Sequence, residues 1–202
     1  MTLRQLKKET RVLPRAFFDR PAEAVARDLL GTVLVRRANG ATLAGRIVET
    51  EAYLGQGDRA AHSARGVTER TRVIFGPPAR AYVYLIYGMH YCLNLVAEPE
   101  GTAGCVLLRA LEPLCGVDEM RRLRPKARRD RDLASGPAKL TQALGVTLDD
   151  YGRDVLRGDL TVRAFHYPTM HKTAIGPRIG INESRELPLR FHIADNEHVS
   201  VR

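Results

Sequence analysis

The stretch Gly45-Arg-Ile-Val-Glu-Thr-Glu-Ala-Tyr-Leu-Gly55 constrains this chain more than any other. Ile47 and Val48 open it as a strand, because β-branched side chains pack well on a pleated, half-buried surface. The Asn39-Gly40 pair just upstream is a strong signal for a two-residue hairpin turn to an earlier strand over 32–37. Period-two alternation then puts Ile47, Glu49, Glu51 and Tyr53 on one face and Arg46, Val48, Thr50 and Ala52 on the other. Two carboxylates and a tyrosine thus continue a face that starts apolar. Such a conflict marks either a functional site or glutamates matched to arginines at a strand end, and the residues alone weigh the two readings equally. A partly buried glutamate has a raised pKa and can take a proton from water near neutral pH.

With 202 residues, 44% of them hydrophobic and 27% charged, the chain can bury one good core. That predicts one domain over 13–202, preceded by a basic, loosely ordered tail over 1–12. No apolar run reaches the length of a membrane span and no signal peptide opens the sequence, so no membrane partner is expected and the cytoplasm is the expected compartment. Cys92, Cys105 and Cys115 contain no Cys-x-x-Cys pair, which argues against a disulfide framework or a cysteine-rich zinc site. His166 and His171 flank Pro168, which breaks any helix that would bring the two rings together. Neither a metal site nor a cofactor is expected.

A net charge of +9 points to a polyanionic partner. Arginine peaks over 121–131, with Arg122, Arg124, Lys126, Arg128 and Arg129 inside the run. Guanidinium forks suit phosphate oxygens, and a solvated loop is the plain alternative.

Taken in order, Asp19 is placed to cap a helix that has Pro21 in its first turn and runs through Val25 and Leu29 to Gly31. A polar loop over 54–66 holds His62, and Thr68 can cap a short helix ending at Gly76. Two β-rich runs then flank Tyr87-Gly88-Met89-His90, a hairpin tip where small polar residues are usual. Side chains this large suit a wedge between base pairs, and packing back onto the core is an equal alternative. A strand over 104–110 carries Arg109, and a helix spans 118–123. Another helix opens at Ser135-Gly-Pro-Ala-Lys139 and stops at Gly145; its free amides and Lys139 could hold a phosphate, although an ordinary core helix is the commoner case. Runs over 161–164, 178–181 and 189–193 read as short closing strands. The fold class is therefore α+β: a single compact domain with a mostly antiparallel, curved sheet, flanking helices and a protruding hairpin.

A strand-end glutamate, nearby aromatics, a wedge-like tip and positive charge suit an enzyme that unstacks a nucleotide and hydrolyses a bond in it. Cleaving an N-glycosidic bond passes through an oxocarbenium-like sugar, which a carboxylate can offset. Two other classes stay open on the residues: a non-catalytic DNA-bending protein, and a carbohydrate hydrolase using Glu49 and Glu51 as a pair.

Beyond this, the sequence resembles the alkyladenine (3-methyladenine) DNA glycosylases of the single-domain, mixed α/β kind. The resemblance is carried by Arg46-Ile-Val-Glu-Thr-Glu-Ala-Tyr-Leu-Gly55, Ala60-Ala-His-Ser63, Tyr82-Val-Tyr-Leu-Ile-Tyr-Gly-Met89, Cys105-Val-Leu-Leu-Arg-Ala-Leu-Glu-Pro113 and Ser135-Gly-Pro-Ala-Lys-Leu140. It runs from about Leu13 onward, and several ordered blocks make it specific. It implies Glu51 as general base, with Arg109 and the main-chain carbonyl near Ile179 orienting the water. It implies Tyr53, His62 and Tyr84 around the flipped base, the His62 amide reading the purine six-position, and Asn94 discriminating against guanine. Tyr87 is implied to fill the gap in the duplex, with Met89 and His90 lining the groove; Gly88 at the same tip and Lys139 at its helix N-terminus are read from their positions as further DNA contacts. The implied partner is double-stranded DNA containing damaged purines (3-methyladenine, hypoxanthine, ethenoadenine), bound by a monomer that leaves an abasic site. Two departures stand out: His90 replaces an aromatic common in mammalian relatives, and their long N-terminal extension has no counterpart. Glu49 has no implied catalytic role and is read as structural.

Overall fold

The computed structural model describes residues 1–38, 40–55, 57–167 and 170–200. The first twelve residues, whose polarity predicts a loose tail, form helix α1 (Leu3–Glu9) and strand β1 (Thr10–Val12). A capping box between Thr2 and Gln5 starts the helix, and Leu6 packs against Val33, Val35, Ala44 and Cys115. One well-buried leucine and a short strand pairing dock a segment that reads as polar.

Helix α2 (Arg15–Phe18) leads into helix α3 (Ala22–Asp28). Asp19 closes α2 instead of capping α3, whose N-cap is Pro21. The first free amide of α3, Ala22 N–H, is taken by the Glu98 carboxylate at 2.7 Å, from 76 residues along the chain.

Strands β2 (Val33–Ala38) and β3 (Ala41–Leu54) pair antiparallel with Ala38 opposite Ala41. That register spans two residues, as the hairpin expectation requires, although Asn39 itself lies outside the described residues. Strands β4 (Ala81–Ile86) and β5 (His90–Val96) form the predicted hairpin. Strand β6 (Gly104–Cys115) continues beyond Ala110, because Leu111–Cys115 pair with the first half of β3. Helices α4 (Val117–Leu123) and α5 (Pro137–Leu144) and strand β7 (Leu160–Phe165) follow, then β8 (Thr173–Gly176) and β9 (Arg190–Ile193). The strand expected over 178–181 is a loop: Pro177 has no N–H to donate, and Gly180 takes φ +78°. The pairing strand falls just before it. Pro168, invoked above between the two histidines, lies outside the described residues.

The strand order is β1-β7-β2-β3-β6-β5-β4, with β8 and β9 attached to β3; the named pairs are antiparallel and the sheet does not close. β3 runs alongside β6 for most of its length, with β2 on its first half and β9 on its second. Residues 47–52 are consequently all buried. Helix α3 covers one side, where Thr50 Oγ1 donates to the Ala26 carbonyl at 2.8 Å among Val25, Leu29, Val48 and Ala52.

The ladder between β3 and β6 is irregular where the glutamates lie. Ile47 faces Leu111, Glu49 faces Ala110 and Thr50 faces Leu108, so Val48 and Arg109 are both passed over. Ile47 joins Val48 in the main apolar cluster, and the shared polar face that alternation predicts begins only at Glu49. A bulge of this kind re-aims side chains. The basic run over 121–131 is largely neutralised by its own acids: Arg121 pairs with Asp118 and Asp130, Arg122 with Glu119, and Arg129 with Asp132.

Candidate active site

The irregularity in the ladder brings Arg109 between the two glutamates. Its Nε lies 3.2 Å from Glu49 Oε1 and its Nη1 lies 3.2 Å from Glu51 Oε1. Glu51 Oε1 also accepts the Ile179 N–H at 2.7 Å, and Oε2 accepts the Tyr53 hydroxyl at 3.0 Å. The structure thus ties Ile179 to Glu51 by its amide, where the expectation concerned a carbonyl. Glu49 accepts Arg190 Nε at 2.6 Å and the Ser200 N–H at 2.7 Å.

Both carboxylates are fully buried, yet their environments push them apart. Burial, with the Glu49 charge adding to it, raises the Glu51 pKa against the lowering by Arg109, the Ile179 amide and Tyr53. For Glu49 burial also acts upward, but the Ser200 amide, Arg109 and Arg190 together hold its carboxyl below the ordinary value.

Next to this floor lies a cavity of about 540 Å³ lined by Tyr53, His62, Tyr84, Asn94, Arg109 and Ile179, with Tyr87 also on its wall. Glu51 is not part of the lining; it sits behind Tyr53, Arg109 and Ile179. Lys139 is not among the lining residues either, and its Nζ lies 3.4 Å from Ser135 Oγ.

His62 and Tyr84 meet edge to face with ring centroids 4.6 Å apart. The two rings thus stand together in the cavity wall, which the Tyr53 ring also lines. His62 Nδ1 lies 2.8 Å from the Tyr82 hydroxyl, and burial followed by the Arg70 charge pushes the imidazole pKa down to about 4. Asn94 is held in the wall, its Nδ2 donating to the Tyr82 carbonyl at 3.2 Å.

Sequence reasoning missed several groups here. The Arg70 guanidinium stands 4.9 Å from the centre of the Tyr84 ring, and Arg178 stands 4.7 Å from that of Tyr53. Arg178 is fully buried against Asp58, which also accepts the N–H groups of Leu54 and Ala60 and so pins the His62 loop to the end of β3. Asp58 had a local signal, since a loop aspartate readily bonds the amide two residues on. Arg70, Arg178, Arg190 and Ser200 had none in an arginine-rich chain.

At the hairpin tip, Tyr87 and Gly88 take φ +52° and +69°. Tyr87 is 82% exposed and Met89 69%, so neither folds back onto the core. His90 differs from both: its Nδ1 lies 3.3 Å from Gln142 Nε2 on α5. Among the described residues no group of three His, Cys, Asp or Glu side chains could hold a metal ion, and no helix is long and apolar enough to cross a membrane.

A family model described as methylpurine-DNA glycosylase matches residues 16–197, nearly the whole chain. The chain belongs to the methylpurine-DNA glycosylase family. Three relatives each carry the name "Putative 3-methyladenine DNA glycosylase". The one from Koribacter versatilis is 52% identical, covering 93% of this chain and 92% of its own length. That from Methanocella arvoryzae is 49% identical over 95% and 96%, and that from Methanoculleus marisnigri 50% identical over 94% and 99%. The glycosylase match takes in Glu51, Arg109, the cavity wall and the hairpin, and ends before Ser200, one of the groups bonded to Glu49.

Proposed function

We propose that this DNA glycosylase hydrolyses the N-glycosidic bond of alkylated or deaminated purines flipped out of duplex DNA, with Glu51 as the general base for the attacking water. The observation that carries this reading is one carboxylate, buried and raised in pKa, behind an aromatic-walled cavity with an arginine beside it. Glu51 takes the water's proton as the bond to the base breaks, and its charge offsets the oxocarbenium-like sugar. Oε1 accepts from Ile179 and Arg109 while Oε2 accepts only from Tyr53, so Oε2 keeps an accepting site for the water's proton.

Tyr53, His62 and Tyr84 hold the base, and electron-rich rings favour cationic purines such as 3-methyladenine. A neutral His62 adds no repulsion to that cation. Asn94, its amide already oriented, leaves no room for guanine's exocyclic amino group. Tyr87 occupies the space the nucleotide vacates, beside Gly88, Met89 and His90, and Lys139 meets the phosphates.

A carbohydrate hydrolase would need Glu49 as a second working carboxylate. The Glu49 oxygens are taken up by Arg109, Arg190 and the Ser200 amide and it does not line the cavity, so it is placed neither to attack a sugar nor to give it a proton. A purely architectural DNA-bending protein has no use for Glu51. The test is incubation with duplexes carrying 3-methyladenine, hypoxanthine or ethenoadenine, followed by assay for free base and abasic sites. Release from at least one is expected; release from none would sink the reading. Borohydride trapping of a covalent adduct that vanishes in Lys139→Ala would replace water with an amine nucleophile.

A further inference from the structure

We propose that Glu49, clamped by Arg190 and the main chain of Ser200, is a positioning residue that divides the charge of Arg109 between the two carboxylates and so sets the working pH of Glu51. The inference rests on the assignment of Glu51 as the base, and deepens it. Arg109 spans Glu49 and Glu51 at equal distances of 3.2 Å. Whatever strengthens its hold on one weakens its help to the other.

Glu49 has more contacts than a structural anchor for Arg109 needs. Arg190 reaches it from β9, and the backbone of Ser200 reaches its other oxygen from the C-terminal segment. Arg109 Nη2 itself lies 3.4 Å from Ser200 Oγ. His192, the neighbour of Arg190 across from Glu49 in the β3–β9 ladder, feels both charges. Around Glu51 the remaining groups are Tyr53 on its own strand, Arg178 from the loop after β8 and Cys92 from β5. None of these touches Glu49 in the way Arg109 does, so the coupling between the carboxylates passes through Arg109 and through their direct repulsion.

The signs follow. Removing the Glu49 charge by Glu49→Gln abolishes the repulsion and frees Arg109 for Glu51, so Glu51 stays ionised to lower pH and becomes a weaker base. Ser200→Pro, read against Ser200→Ala so that the lost hydroxyl beside Arg109 is common to both, removes the Ser200 N–H and leaves Glu49 short of one donor, so it draws harder on Arg109 and Glu51 protonates at higher pH. The two substitutions act in opposite directions, which damage to packing alone would not produce.

The experiment is a carboxyl-carbon NMR titration of the full chain labelled in glutamate, with the Glu51 signal assigned by its loss in Glu51→Gln, run alongside the pH profile of single-turnover base release. Glu49→Gln is expected to move the Glu51 midpoint down by about one pH unit, and Ser200→Pro to move it up. The acid limb of base release should follow each shift, and the plateau in Glu49→Gln should fall several-fold. Midpoints that stay put in both folded variants, or move the same way, overturn the proposal. If Glu49→Gln does not fold, Ser200→Pro decides alone: an upward shift supports the coupling and none removes it. Midpoints that move while the acid limb does not would uphold the coupling and instead remove Glu51 as the base.

Discussion

At the cavity floor, both Glu51 oxygens have partners within 3.2 Å and the side chain is sealed from water. At the hairpin tip, Tyr87 and Met89 stand in solvent on a backbone in the left-handed region. The floor is over-determined, with β6, β9 and the 178–181 loop all converging on β3. The tip is attached through one hairpin ladder and the contact between His90 and Gln142. A buried, hydrogen-bonded carboxylate gains a shifted pKa and loses exposure, whereas an exposed ring gains access and loses support. On the proposed function the two regions divide the work: the floor governs rate, and the tip governs grip on duplex DNA.

The largest effect expected is that of Glu51→Gln, which keeps shape but cannot accept a proton. Single-turnover base release should fall by about 10²–10⁴-fold while duplex affinity stays near its original value. A rate close to the parent would break the division at once.

Next comes Asp58→Ala, which strands the buried Arg178 guanidinium under Tyr53. Losing one partner of a buried pair costs about 3–5 kcal/mol, readable as a lower denaturant midpoint. A loss under about 1 kcal/mol would mean that water replaces the carboxylate and that the floor is less sealed than it looks.

Tyr87→Ala should leave that midpoint unchanged, because the ring packs against little. It should weaken binding to a lesion in duplex more than to the same lesion in single strand, by up to a few kcal/mol of unstacking. Equal losses on both substrates would assign the ring to the base pocket instead of the wedge.

The smallest effect is that of Asn94→Ser, which should raise release of guanine relative to hypoxanthine with little change in overall rate. Comparing guanine and hypoxanthine mispairs reads it directly, and an unchanged ratio would take discrimination away from Asn94.

The local patterns of the sequence carried much of this. Alternating β-branched residues mark β3, and the two β-rich runs around Tyr87-Gly88 mark the hairpin. What the patterns missed came from elsewhere in the chain. Glu98 caps α3 in place of Asp19, and a bulge that skips Arg109 has no compositional sign. The 178–181 run looked like a strand by residue type, but Pro177 and Gly180 make it the loop whose amide reaches Glu51. The basic run looked like a phosphate surface because its arginines crowd one short stretch, while several of the acids that neutralise them lie three residues away on the same turns. The resemblance placed Glu51, Arg109 and the aromatics together; it said nothing of Arg70, Arg178 or the clamp on Glu49, which are fixed by contacts between distant segments.

Tyr87 occupies a backbone conformation that an L-residue with a bulky side chain adopts at a cost of roughly 1–2 kcal/mol, and that glycine adopts freely. Selection acting on thermal tolerance alone would therefore replace it, and Tyr87→Gly should emerge early from any such screen. A chain improved in that way would survive heating better and repair worse. Laboratory lineages bred for heat resistance without a damage challenge should lose this ring first, and those challenged with an alkylating agent should keep it.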